Sequence, residues 1–226
     1  MNNDCVFPAI ASAAKILIAD AGGITEGARL LCAEKLVAFP TETVYGLGAD
    51  ATSDAAVARI YAAKRRPNFN PLIAHVASFK DAEAQGMFSA AARRLAVRFW
   101  PGPLTLVLPA AATATVCVTA RARRSTIALR IPAHPAALSL VAAAGRPIAA
   151  PSANRSGRVS PVTAAHVFED DAIDLLAEKL PGLSLTSLTG AEIDLSQRLK
   201  RPVGIVLKSE LRGREEQEVL AQTQPL

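Results

Sequence analysis

The feature that most restricts the fold of this chain is an alternation of short apolar runs with helix-patterned stretches. Leu36–Phe39 (LVAF), Leu72–Val76 (LIAHV), Leu104–Leu108 (LTLVL), Thr126–Arg130 (TIALR) and Ile148–Ala150 (IAA) read as buried strands, several ended by proline or a polar loop. Between them, Thr25–Lys35 reads as a short helix. Ser53 is a good N-cap for a helix through Lys64, with Val57, Ile60 and Tyr61 on its buried face and Lys64 on the same stripe. A further helix is expected from Ser89 to Phe99, before the breaker-rich Trp100-Pro101-Gly102-Pro103, and another from Pro135 to Ala144, ended by Gly145. Such alternation belongs to the α/β class.

Half of the 226 residues are hydrophobic but only 4% are aromatic, so the core must be built from Ala, Val, Leu and Ile, a composition of parallel strands covered by helices. One globular unit suits this length. Lys and Arg exceed Asp and Glu by 25 to 20, a formal charge of +5 that favours polyanionic partners such as nucleotides or RNA. The three cysteines, Cys5, Cys32 and Cys117, form no CxxC pair, which argues against a zinc site or a disulfide framework and for a reducing, cytoplasmic location. The apolar stretch Cys5–Ala19 is interrupted by Lys15, is shorter than the roughly 20 residues of a membrane span, and has no basic leader, so it is expected to belong to the fold. Past Asp170 the pattern weakens, with a strand at Val203–Leu207 and a polar helix at Glu210–Gln222 as expectations.

Ligands of open α/β folds sit where strands end. Thr41-Glu42-Thr43 follows LVAF, and Ser152-Ala153-Asn154 follows IAAP. Their hydroxyls and amide are either turn-forming groups or neutral donors to phosphate and carboxylate oxygens. Lys64-Arg65-Arg66 either complements a helix dipole or clamps phosphates. His75 is either a satisfied half-buried histidine or a pocket residue. His75, His134 and His166 lack partners at metal-ligand spacing, so no protein-built metal site is expected. GxxxxGKS/T, GxGxxG and GxSxG motifs are all missing.

FPTETVYGLGADA (Phe39–Ala51), AAKRRPNFNPLIAHV (Ala62–Val76), FWPGPLTLVL (Phe99–Leu108), TIALRIPAHP (Thr126–Pro135) and PIAAPSANRSG (Pro147–Gly157) together resemble the YrdC-like family of threonylcarbamoyl-AMP synthases, in order and in spacing. The resemblance implies a single catalytic domain over residues 1–210, with a helical or frayed tail at 211–226. Its twisted, mixed sheet would curl around a large positively charged cavity. It implies a nucleotidyltransferase that makes threonylcarbamoyl-AMP and pyrophosphate from ATP, L-threonine and bicarbonate or CO2, with Mg²⁺ arriving on the ATP. A partner complex would then carry the group to tRNA adenosine 37, and the protein itself would not engage a membrane.

By motif, the resemblance assigns Lys64, Arg66, Ser152, Asn154, Thr126, Ser160 and Arg201 to ATP, and Thr41, His75 and Arg130 to threonine, with no covalent nucleophile. Arg130 would pair with the threonine carboxylate. Residues 177–190 depart from the family pattern, in which a VGxESTI-like segment is expected. That departure, with the positive charge, motivates the alternative of a non-catalytic RNA-binding module and leaves direct RNA binding open.

Overall fold

A computed structural model of the chain describes residues 16–164, 167 and 174–177. In chain order these residues form β1 (Ile16–Ile18), α1 (Ala21–Cys32), β2 (Val37–Phe39), β3 (Gly46–Asp50), α2 (Asp54–Lys64), β4 (Ile73–His75), α3 (Phe79–Gln85), α4 (Ala90–Phe99), β5 (Leu106–Pro109), β6 (Thr126–Arg130), α5 (Pro135–Ala144), β7 (Ile148–Ala149) and β8 (Asp174–Ala177). The strands make one eight-stranded sheet in the order β1-β8-β2-β3-β7-β4-β6-β5. The expected strand at Val203–Leu207, the helix at Glu210–Gln222 and the tail at 211–226 lie outside the described residues, as does most of Cys5–Ala19.

Composition suggested parallel strands, but the sheet is mixed. β1–β8, β2–β8 and β4–β6 run parallel, while β2–β3, β3–β7, β4–β7 and β5–β6 run antiparallel. The link from Phe39 to Gly46 is too short for a parallel crossover, which takes a dozen or more residues, so β3 must fold straight back along β2.

Alternation along the strands sorts two apolar layers. Val37, Phe39 and Ile148 face α1 and α5, where they pack with Leu31, Ala137, Leu140 and Val141. Leu47 and Ala49 of β3 point the other way, toward the α2 layer of Val57 and Ile60, and all four are fully buried.

Local chemistry explains the element boundaries. Ser53 caps α2 by accepting from the Ala56 N–H at 3.2 Å, and Ser89 caps α4 by accepting from Ala92 at the same distance. Gly145 ends α5 at φ 63, a left-handed position suited to glycine. Helix α1 begins at Ala21 and not at Thr25, because the Asp20 carboxylate accepts from Gly23 N–H at 2.9 Å and starts the helix early. This start also needs Gly23, since a Cβ there would lie 1.7 Å from the Ile18 carbonyl oxygen.

Strand β3, unmarked by apolar periodicity, carries Gly48 because a Cβ there would stand 2.7 Å from the Phe39 ring. Helix α3, also unmarked, is capped by Ser78, which accepts from Asp81 N–H at 3.1 Å, and buries little beyond Ala82 and Gln85.

His75 lies in β4, 2% exposed, beside Arg130 of β6 and Ile148 of β7. The Phe39 ring meets it edge-on at 6.2 Å. Burial and then the Arg130 charge lower its pKa from 6.5 to about 4, against an upward pull from the Glu42 carboxylate and from backbone hydrogen bonds. The folded state therefore holds a neutral imidazole.

Two measurements test these points. Gly23→Ala should cost about 2 kcal/mol or more in urea unfolding, because backbone must move. Gly22→Ala, where the nearest atom is 3.4 Å away at the flexible Asp20 carboxylate, should be neutral or stabilising by up to about 1 kcal/mol.

The His75 pKa is lower folded than unfolded, so its contribution to stability is complete above pH 6.5 and is lost as pH falls toward about 4. Between about pH 7.5 and about pH 4.5 that loss amounts to about 2 to 3 kcal/mol. His75→Gln should show a correspondingly shallower decline in urea midpoint over the same interval; parallel declines would contradict the assignment.

Candidate functional site

Pro40 has no N–H to continue the β2 ladder, and the chain turns away from the sheet there. Thr41 builds the turn. Its hydroxyl donates to the Val44 carbonyl at 2.6 Å, accepts from the N–H groups of Thr43 and Val44 at 3.2 Å each, and lies 3.0 Å from the Thr43 hydroxyl. The turn is then stitched to the segment after β7. Ala153 N–H donates to the Tyr45 carbonyl and Leu47 N–H to the Pro151 carbonyl, Gly46 bridges to Ser152, and Tyr45 N–H donates to Pro161, each of the three bonds at 2.8 Å. The Thr41–Thr43 turn, Ser152–Asn154 and the Ser160–Pro161 segment thus form one rim.

Lys64 comes to this rim from α2. It extends the Val57–Ile60–Tyr61 stripe into the interior and is 2% exposed, while Arg65 ends the helix in the left-handed region at φ 48. The Lys64 ammonium donates to the Ser152 carbonyl at 2.5 Å and to the Asn154 carbonyl. The Lys64 carbonyl in turn accepts from Ser156 N–H at 2.9 Å. The helix end and the loop therefore hold each other through both main chain and side chain.

Asn154, 8% exposed, donates from Nδ2 to the carbonyls of Arg155 and Arg158 at 2.8 Å each. Its Oδ1 is buried with no hydrogen-bond partner among the described residues, an acceptor ready for a ligand donor.

Arg130 ends β6 at 7% exposure. Its Nη2 lies 2.9 Å from Glu42 Oε1 and donates to the Thr43 hydroxyl at 3.2 Å, and its Nε donates to the Gly102 carbonyl at 3.2 Å. Burial pushes the Glu42 carboxyl upward. Hydrogen bonds from Arg130 and from the Glu42 and Ala133 N–H groups, with the guanidinium charge, outweigh that and hold it below the usual carboxylate range. His75 stands next to Arg130 across the β4–β6 ladder. The site is therefore larger than motif reading suggested, because Glu42 joins Arg130 to the Thr41 turn. Its one sequence signal was a carboxylate between two candidate threonines.

The remaining candidates lie at the margins. Thr126 shares a face of β6 with Ala128 and Arg130, all on alternate positions, but starts the strand, roughly 13 Å along it from Arg130. Arg66 is half-buried, its Nη2 donating to the Pro71 carbonyl at 3.3 Å. Ser160 is half-buried beside Pro161. Arg201 is outside the described residues. Among the described residues no cluster of three or more His, Cys, Asp or Glu side chains is suited to a metal ion, and no helix is long and apolar enough to cross a membrane.

Comparison with known proteins agrees with this arrangement. The Sua5/YciO/YrdC family model, described as telomere recombination, matches residues 29–179. A threonylcarbamoyl-AMP synthase of Pyrococcus abyssi is 54% identical over 157 residues, which are 69% of this chain and 43% of that protein. One from Bacillus subtilis is 50% identical over 148 residues, covering 65% of this chain and 42% of that protein. The chain thus spans less than half the length of these two curated relatives. The crystal structure of P. abyssi Sua5 complexed with L-threonine superposes with a TM-score of 0.69 at 46% identity, over 74% of this chain and 50% of that one. Escherichia coli YciO, at 20% identity and a TM-score of 0.62, shares the fold. With the family model matched across the sheet and the rim, and with this identity to its members, the chain belongs to the Sua5/YciO/YrdC family.

Proposed function

We propose that the chain forms threonylcarbamoyl-AMP and pyrophosphate from ATP, L-threonine and bicarbonate or CO2. The observation that carries this reading is the joining of the Thr41 turn, the Ser152–Asn154 loop and Lys64 into one rim, in a chain 46% identical to a Sua5 structure complexed with L-threonine.

Arg130, near the Thr41 turn, takes the threonine carboxylate, and Glu42 yields one of its guanidinium contacts or shares the fork. Threonine's amine and CO2 form a carbamate. A carbamate oxygen attacks the α-phosphorus of ATP while the bond from that phosphorus to the pyrophosphate oxygen breaks, so the nucleotide ends on the carbamate and pyrophosphate leaves.

The protein supplies position and charge. Arg66 neutralises phosphate oxygens, Ser152, Ser160 and Thr126 contribute hydroxyl groups along the nucleotide, and Asn154 Oδ1 accepts an N–H or O–H donor. Lys64 acts by holding the loop in place for them. The displacement needs no covalent nucleophile, and the Cys117 thiol, pushed up to about 11 by burial, stays protonated. Mg²⁺ entering with ATP would be carried on the triphosphate, where it would neutralise phosphate charge. The product then passes to a tRNA-modifying partner.

Two experiments test this reading. With ATP, Mg²⁺, L-threonine and bicarbonate the protein should release pyrophosphate, and omitting threonine should reduce release to background. Release without threonine, or none with it, would contradict the activity.

In the same assay Lys64→Met should raise KM for both ATP and threonine by roughly tenfold or more, since it leaves two buried carbonyls unpaired and frees the loop. Unchanged kinetic constants would reduce Lys64 to a cation complementing the helix dipole.

A further inference from the structure

The arginine assigned to the substrate carboxylate already carries a carboxylate of the protein. Of the Arg130 N–H groups, Nε donates to the Gly102 carbonyl and Nη2 to the Thr43 hydroxyl, at 3.2 Å each, and Nη2 lies 2.9 Å from Glu42 Oε1, which leaves Nη1 without a hydrogen bond among the described residues. Glu42 is divided in a similar way. Its Oε2 accepts from the His134 N–H at 3.4 Å, and a bond from the Ala133 N–H helps tie the carboxylate to the chain that enters α5. Its Oε1 faces Arg130, and the side chain stays 19% exposed, within reach of a ligand at the rim. Oε1 can therefore change partners while the carboxylate keeps its main-chain anchors.

A carboxylate in this place weakens the attraction of Arg130 for any simple anion. The pair is neutral as a unit and discriminates by charge. A ligand that brings only a carboxylate sets two anions around one guanidinium, and a ligand that brings only an ammonium sets two cations around one carboxylate. Either arrangement leaves an unbalanced charge in a partly buried site, which disfavours that ligand.

A ligand that carries both signs close together adds no net charge. Its carboxylate takes Nη1 and competes for Nη2, its ammonium takes Glu42 Oε1, and two ion pairs stand where one stood. An α-amino acid has this form, because a single carbon joins its ammonium to its carboxylate, as the 2.9 Å contact joins Arg130 to Glu42.

We propose that Glu42 is the specificity-determining residue for the amino group of the substrate: Arg130 takes the carboxylate of an α-amino acid and Glu42 Oε1 its ammonium, so that the pair admits zwitterions and rejects acids that lack the amine. The assignment rests on the threonine-using reading above and adds to it the residue that recognises the nitrogen.

The test is calorimetric titration of the full chain with three compounds. They are L-threonine, its dihydroxy acid analogue, in which a hydroxyl replaces the ammonium, and L-threoninol, which keeps the ammonium and lacks the carboxylate. The unsubstituted protein should bind threonine at least roughly tenfold more tightly than either analogue. Glu42→Gln, which keeps the shape but removes the charge, should weaken threonine roughly tenfold to a hundredfold and leave the dihydroxy acid unchanged or tighter. Measurable but equal losses of the two would overturn the proposal and leave Glu42 as a support for Arg130 alone. Unchanged threonine affinity, or an analogue that matches threonine on the unsubstituted protein, would overturn it as well. If Glu42→Gln binds neither compound, Glu42→Asp decides: with the charge kept on a shorter arm it should still prefer threonine to the dihydroxy acid, and loss of that preference or of all binding would overturn the proposal.

Threonine-dependent pyrophosphate release separates this assignment from the synthase reading. A chain that loses its preference for threonine with Glu42→Gln but releases no pyrophosphate keeps the amino-acid subsite and loses the activity. A chain whose threonine-dependent release shows the same KM for threonine with Glu42→Gln keeps the activity and loses the subsite.

Discussion

Most of the rim's geometry depends on a lysine ammonium taken out of water and bonded to main-chain carbonyls. Burying a charged amine costs several kcal/mol, and Lys64 meets that cost with the Ser152 and Asn154 carbonyls. The same two carbonyls belong to a segment whose Ala153 N–H donates to the Tyr45 carbonyl and whose Pro151 carbonyl accepts from the Leu47 N–H of β3. The loop is thus fixed from both sides, by hydrogen bonds to its neighbours in the sheet and by a charge from α2 beneath it. Removing the lysine would leave acceptors buried without donors, so the positions of Ser152 and Asn154 are set by a residue almost ninety positions earlier in the chain.

How much of this was legible depends on whether the signal is local. Ser53, Ser89 and Gly145 announce their helix ends through backbone chemistry that needs no tertiary partner, and the structure has those ends where the residues imply them. The stripe Val57–Ile60–Tyr61–Lys64 was readable in the same way, including the inward position of the lysine. What was hidden is settled by contacts between distant segments. β3 reads as GLGAD, with glycines that weaken any strand pattern, yet Gly48 is required by the Phe39 ring across the ladder. α1 carries Gly23 in its first turn because the Ile18 carbonyl of β1 lies against that position. Neither fact has a local signature.

The site divides along the same line. Motif order located Thr41, Lys64, Arg130, Ser152 and Asn154, and all of them border or support the rim. Motif reading assigns each side chain to a ligand, whereas several are bonded to the protein itself. Thr41 closes its own turn, Lys64 holds a loop, and Arg130 holds Glu42. A sequence lists donors but not their partners. Where a donor's partner is another part of the protein, the residue's first task is to position, whereas Asn154 Oδ1, buried and without a partner among the described residues, is an acceptor open to a ligand.

Arg130 carries this logic furthest, because a cation that cannot lose its proton sets the charge of the groups around it. It helps hold Glu42 ionised despite partial burial, and it adds to the burial that holds His75 neutral. Both effects have one source, a guanidinium reaching from the end of β6 to the turn after β2. Beside Arg130, Glu42 is consequently ionised and the His75 imidazole uncharged at neutral pH. If a substrate carboxylate joins Arg130, it enters beside a carboxylate already present, and the repulsion between the two favours release of Glu42 from the fork. If the substrate's amine must lose a proton before it meets CO2, the pH dependence of that step belongs to the substrate and not to His75. A site whose own groups do not titrate in the working range leaves the chemistry to position and fixed charge, which is the demand that in-line displacement at phosphorus makes of a protein.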